Sequence, residues 1–207
     1  MRRMTMRGTM ILLSGLLALS AAQAAPPGTD PDWPCRQRLV PALTAQTFWS
    51  GPALPDKADW QANPKLAAEV AAVAPRDVAV DDAVASLNHY AGTLKPAERK
   101  IQLPLLFLGI VEETNQQRGE IVDRIKELAK RQRGVGDTVA KITAELQAIP
   151  DTAQGDDAKQ RDEIVQRRDF VIRTFQETER TMRYACEVPV ELEGRLGSFA
   201  KALEAKL

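Results

Sequence analysis

Histidine is all but missing from this chain: His89 is the only one among 207 residues. A zinc site or a Ser/His/Asp relay would have to be built on that single imidazole. No cysteine, histidine or carboxylate cluster stands near it at ligand spacing, so His89 reads as an ordinary helix residue. Cysteine is almost as scarce. Only Cys35 and Cys186 are present, without a CxxC spacing, which removes any thioredoxin-like redox role. The sequence also lacks a phosphate-cradling glycine loop, a haem-attachment motif and a GxSxG turn. Neighbouring carboxylates such as Glu112 and Glu113 would point about 100° apart on a helix and could not share a site. The acidic turn from Pro150 to Asp156 misses the D-x-D-x-D-G register and has no glutamate at its twelfth position, so it is not a calcium loop. No catalytic residue, metal or cofactor is expected, and the chain reads as a non-enzyme.

An excess of either charge is absent too, since 28 Lys+Arg balance 28 Asp+Glu. The first 24 residues contain Arg2, Arg3 and Arg7 and no acid, so the remainder holds 25 basic against 28 acidic groups. Such a surface gives no support to binding of nucleic acid or an anionic membrane. Aromatic residues make up only 5% of the chain, while helix-forming Ala, Leu, Glu, Lys, Arg and Gln dominate. That composition favours packed helices over a sheet sandwich.

What is present begins with an export signal. A basic start, an apolar run from Met10 to Ala22 and the small-x-small triplet Ala22-Gln23-Ala24 predict a leader over residues 1–24, cleaved after Ala24. The apolar run is too short for a membrane span, and Pro26-Pro27-Gly28 follow it, so no integral span is expected in the mature chain. The expected location is the periplasm. In that compartment Cys35 and Cys186 read as a disulfide; the alternative is two unpaired thiols.

Residues 25–64 form a proline-rich stretch with little periodicity, read as an extended arm with at most a short helix. It nevertheless holds all three tryptophans, Trp33, Trp49 and Trp60. Indoles filling grooves on a helical body explain that concentration better than a disordered tail does; a peptide- or ligand-binding patch is the functional alternative.

Residues 65–207 read as one helical domain. Short helices are expected over Lys65–Ala74 and from Asp81 or Asp82 to Thr93. A strongly apolar helix follows from Ala97 to Val111, bent at Pro104. Ile121, Ile125, Leu128, Gln132, Val135, Val139, Ile142, Leu146 and Ile149 then follow at alternating spacings of four and three. This is the stripe of a helix lying along another helix. Because Val135 keeps the phase, a helix weakened but continuous through Gly134 and Gly136 is favoured over a break. The return helix carries Val165, Arg168, Ile172, Phe175, Glu179, Met182 and Cys186, with Phe170 to Phe175 opposite the two glycines. Pro189 should break or bend it before a last helix from Val190 to Leu207. The expected fold is therefore all-α: a long antiparallel, coiled-coil-like helical hairpin, with a small helical bundle at its base and a proline-rich N-terminal arm.

Trp33-Pro34-Cys35, Cys186-Glu187-Val188-Pro189 and Glu193-Gly194-Arg195-Leu196 together resemble a family of small exported bacterial helical proteins that has no assigned function. The resemblance covers the mature chain loosely and implies the same disulfide and architecture, with no catalytic residues. The leading functional expectation is a periplasmic interaction or scaffolding module, chaperone-like in one variant. It would engage a protein partner or a second copy as a homodimer. Candidate contact residues are Trp33, Trp49, Trp60, Gln132, Arg168 and Glu179. The alternative is a ligand-binding module, with the tryptophan arm laid over an apolar groove.

Overall fold

The computed structural model describes residues 30–56 and 59–207, and every regular element among them is helical. The expected leader over residues 1–24 lies outside the described residues. The arm contains one short 3-10 turn, Ala45–Thr47. Helix α1 spans Pro64–Val73 and α2 spans Val80–Thr93, followed by two long helices, α3 over Pro96–Gln147 and α4 over Asp156–Glu204.

Local chemistry sets these boundaries. The Asn63 side chain accepts from the amides of Lys65 and Leu66, while Pro64 takes the first helical position, where no amide hydrogen is needed. Leu66, Val70 and Val73 are buried, as their spacing predicts. α2 begins at Val80, a residue or two earlier than its acids suggest, so Asp81 and Asp82 fall in the first turn, where the helix dipole favours them. At the start of α3, Glu98 accepts from the Lys95 amide at 2.8 Å.

The two long helices form the hairpin. α3 is unbroken for 52 residues, about 78 Å at ~1.5 Å per residue, and passes through Gly134 and Gly136 without interruption. The chain reverses at Gly155, the only described residue with positive φ, at 64°. α4 then runs 49 residues without a break at Pro189. The expected separate C-terminal helix is therefore corrected: Pro189 does not end the return helix. Its ring is buried, so the lost amide bond is offset by apolar packing.

Along the seam Ile125, Ile142 and Leu146 are buried, with Leu128, Gln132, Val135 and Val139 half-buried. Val122 and Ala129 are buried as well, although they lie off the stripe. They share a helix face with Lys126 and Arg133, which hold Asp30 and Asp32 of the arm. The arm thus supplies a cover on that side. Near the turn a separate cluster of Ile142, Leu146 and Ile164 closes the hairpin. Of the two rings expected against the glycines, only Phe175 approaches, and it would sit 3.8 Å from a Cβ on Gly136. Phe170 is 65% exposed.

At the base α1, α2, the start of α3 and the end of α4 enclose a core centred on Phe107, Leu106, Ile110, Leu196 and Phe199. The arm adds Trp49 and Trp60 to it. Gly109 is required there: a Cβ would meet Trp60 Cδ2 and Val70 Cγ2, each at 2.8 Å. Gly134, on the same helix, would meet nothing within 4 Å. Alanine should therefore act oppositely at the two positions. Gly134→Ala is expected to raise stability by about 1 kcal/mol through helix propensity. Gly109→Ala should lower it by about 1 kcal/mol, because overpacking outweighs the same propensity gain. Urea midpoints of the two variants check this; a stabilised Gly109→Ala would mean that Trp60 does not sit where described.

Candidate functional site

The three tryptophans are spent inside the molecule. Trp49 is 9% exposed and stacks on Phe107, with ring centroids 5.1 Å apart, and its indole N–H donates to the Pro52 carbonyl at 2.8 Å. Trp60 is 5% exposed and donates to Glu112 Oε2 at 2.8 Å. Trp33, half-buried, donates to the Gln37 carbonyl at 2.7 Å. The Gln37 amide in turn donates to the Cys186 carbonyl, beside the bond between Cys35 and Cys186. Those two Cα atoms stand 5.6 Å apart. Each indole therefore has a ring partner or a hydrogen-bond acceptor, as groove-filling requires.

The three hairpin candidates lie elsewhere. Gln132 sits within the seam and donates to the Phe175 carbonyl at 3.0 Å, while its Oε1 is buried without a partner. Arg168 pairs with its own neighbour Asp169 at 2.8 Å. Glu179 is not in the seam at all. It is exposed and faces Arg183 at 3.9 Å, one helical turn on. Its place in the return row is thus corrected: a two-helix seam is narrow, and a position at its edge opens to water. The six candidates do not converge on one site.

A second group of residues, of which only Glu193 and Arg195 figure in the sequence reading and only within a motif, holds the arm and the base together. Asn115 clamps Leu43 from both sides, accepting its amide at 2.8 Å and donating to its carbonyl at 2.9 Å. Gln117 does the same across the α1–α2 turn, accepting from the Arg76 amide and donating to the Ala74 carbonyl, both at 3.2 Å. Arg118, 3% exposed, donates to the Val40 carbonyl and to Glu193 at 3.3 Å. Arg195 donates to the carbonyls of Val73, Pro75 and Val78, and lies 5.2 Å from the Phe199 ring centroid. Burial pulls its guanidinium below the ordinary arginine value, against the opposing pull of Asp77. The one hint in the sequence is that Asn115, Gln117 and Arg118 directly follow the most apolar part of α3.

Further out, Lys126 and Lys130 bind Asp30 and Asp32 at 2.7 and 3.2 Å. The hydrogen bond from Lys126 is the main reason that Asp30 titrates below its ordinary 3.8; for Asp32 it is the bond from Lys130. A depressed carboxylate contributes stability that is complete above the unfolded pKa and disappears as pH falls through the folded value. The outer arm should therefore stay docked at neutral pH and loosen below about pH 4. Amide exchange of Asp32 to Gln37 against pH reads this directly, and Asp30→Asn with Asp32→Asn should erase the step.

Three shallow clefts meet at Arg76 and Asp77, one against Val188, Glu191 and Arg195, one against Gln117, Glu120 and Arg124, and one against Val80, Gly194 and Ser198. Their walls alternate in sign, so none selects an anion or a cation. His89 is exposed on α2. Among the described residues no group of three His, Cys, Asp or Glu side chains could hold a metal, and no helix is long and apolar enough to cross a membrane. Comparison with protein-family models, curated proteins and solved structures finds no match to this chain.

Proposed function

We propose that this chain is a non-enzymatic protein–protein interaction or scaffolding module of the bacterial periplasm, delivered there by a cleavable leader. The observation that carries the reading is the hairpin beyond Arg133, where the arm makes its outermost ion pair. From there to Gln147 the helix continues for roughly 20 Å, and the buried apolar residues Ile142, Leu146 and Ile164 come from the hairpin itself. Its two helices pair in the manner of a short coiled coil, leaving their outer faces to water. Long exposed helix faces commonly dock another helix or surface. The disulfide fits an oxidising compartment.

Small-angle scattering of the leaderless chain should give a longest dimension on the order of 80 Å, set by the length of α3. A compact particle would remove the basis of the reading. A pull-down from periplasmic extract should lose its catch when the exposed Phe170 is changed to glutamate; an unchanged catch would place docking elsewhere. A holdase-like role draws less support, because Ile101, Phe170, Tyr184 and Val190 are exposed singly rather than as one apolar patch. The ligand-binding alternative draws less still, since Trp49 and Trp60 already fill the groove that a ligand would need.

A further inference from the structure

α4 carries two heptad rows, and the hairpin uses only one. The inner row includes Ile172, Phe175 and Met182. The second runs from Asp156 to Arg180 at alternating spacings of three and four, and all its members are exposed. At 3.6 residues per turn it lies on roughly the opposite side of the helix. We propose that this outer row is a docking surface for a second copy of the chain, α4 against α4 in antiparallel order, with the two-fold axis at the level of Arg168. The proposal rests on the reading of the hairpin as the docking element and names its partner.

Charge complementarity carries it. In antiparallel helix pairs each layer joins two positions equidistant from the axis. Here Gln166 meets Phe170, Glu163 meets Arg173, Lys159 meets Glu177, and Asp156 meets Arg180. Every charged layer joins opposite signs, and symmetry repeats each one. In parallel order every residue would meet its own copy, so Glu163 would face Glu163 and Arg173 would face Arg173. Sliding by one heptad one way sets Asp156 against Glu187; sliding the other way leaves Asp156–Arg173 as the only opposite-charge layer. The pattern thus selects both an orientation and a register.

The surroundings agree with that register. Glu163, Arg173, Glu177 and Arg180 have no ion-pair partner among the described residues. Lys159 and Asp156 pair with each other at 2.9 Å, both largely exposed and able to exchange partners. The like charges brought together near the axis are already neutralised within each chain, Arg167 by Glu145 and Asp169 by Arg168. The two Phe170 rings would lie ~6 Å apart along the axis, an apolar centre for a side chain otherwise 65% exposed. The partner's turn at Thr152 would reach Tyr184, which is 64% exposed. It would stop short of Val188 and Glu191, where the Arg76–Asp77 turn lies against α4.

Exposed charge pairs are weak and screened by salt, so the dimer should be modest and salt-sensitive. Sedimentation equilibrium of the leaderless chain should show a dimer at low ionic strength that weakens about tenfold or more on adding salt. Glu163→Arg and Arg173→Glu should each weaken it at least about tenfold, and the double exchange should restore it to within about threefold. A wild type that stays monomeric at low salt, or single variants that dimerise like the wild type, would overturn the proposal. A photo-cross-linking residue at position 170 in the producing cell separates this failure from failure of the broader reading. Cross-links between two copies support the dimer. Cross-links to a different protein overturn the second copy as partner while leaving the hairpin as a docking element. No cross-link of either kind overturns both.

Discussion

Changing Cys35 and Cys186 together to serine is expected to lower stability by up to about 5 kcal/mol, the chain-entropy limit for the 151-residue separation that the bond spans. The loss reaches that limit only if the outer arm stays docked without the bond. What then holds it is modest: ion pairs from Asp30 and Asp32 to partly exposed lysines, and the Gln37 contact with Cys186. Ion pairs between exposed groups contribute little, because solvent screens them. Residues 30–39, which precede the Arg118–Val40 hydrogen bond, should therefore detach locally in the double mutant, while Trp49 and Trp60 stay buried. Urea denaturation measures the total. Hydrogen exchange locates it, with fast exchange confined to the segment before Val40. If protection around Trp49 disappeared as well, the arm would be one cooperative strap rather than two independently held pieces. Salt should accelerate arm exchange in the mutant far more than in the oxidised protein, because in the oxidised protein the disulfide also holds the segment.

The hairpin was legible because its cause is periodic. Nine positions from Ile121 to Ile149 keep one phase, and a phase that persists across Gly134 and Gly136 favours an unbroken helix, as α3 is. The groove-filling role of the indoles could also be read, from aromatics concentrated in a proline-rich segment. Where the arm goes could not be read, because its anchors are not periodic. Asn115, Gln117, Arg118 and Arg195 bind backbone groups, which every residue carries, so no sequence pattern marks their targets. The fit of Trp60 to Gly109 is similarly silent, since the essential feature is a missing side chain. Glu179 and Pro189 misled for opposite reasons. Heptad phase places Glu179 in the seam although a two-helix contact is too narrow to cover it. Local propensity ends the helix at Pro189 although burial of the ring keeps it going. The outer row from Asp156 to Arg180 is visible in the sequence, but it becomes informative only once α3 is known to occupy the other side of α4.

Replacing Arg195 by methionine should cost about 1–3 kcal/mol, the cost of leaving buried hydrogen-bond acceptors unpaired. Its guanidinium joins the end of α4 to the α1–α2 turn through three carbonyls: Val73 at 3.2 Å, Pro75 at 3.0 Å, and Val78. Val73 closes α1, so these acceptors include carbonyls that a helix C-terminus leaves free, and a cation suits that negative end of the dipole. Methionine preserves much of the apolar stem against Phe199 but donates nothing, leaving largely buried carbonyls without their donor. Lysine keeps the charge without the fork, and a single ammonium cannot span three acceptors set around a turn. Arg195→Lys should therefore recover about half of the loss, at most. Thermal or urea unfolding ranks the three proteins, and exchange of the amides from Ala74 to Val80 shows whether the turn is where the stability goes. Equal stability of the methionine and wild-type proteins would mean that water replaces the guanidinium at those carbonyls. The base of the hairpin would then be held by its apolar core alone.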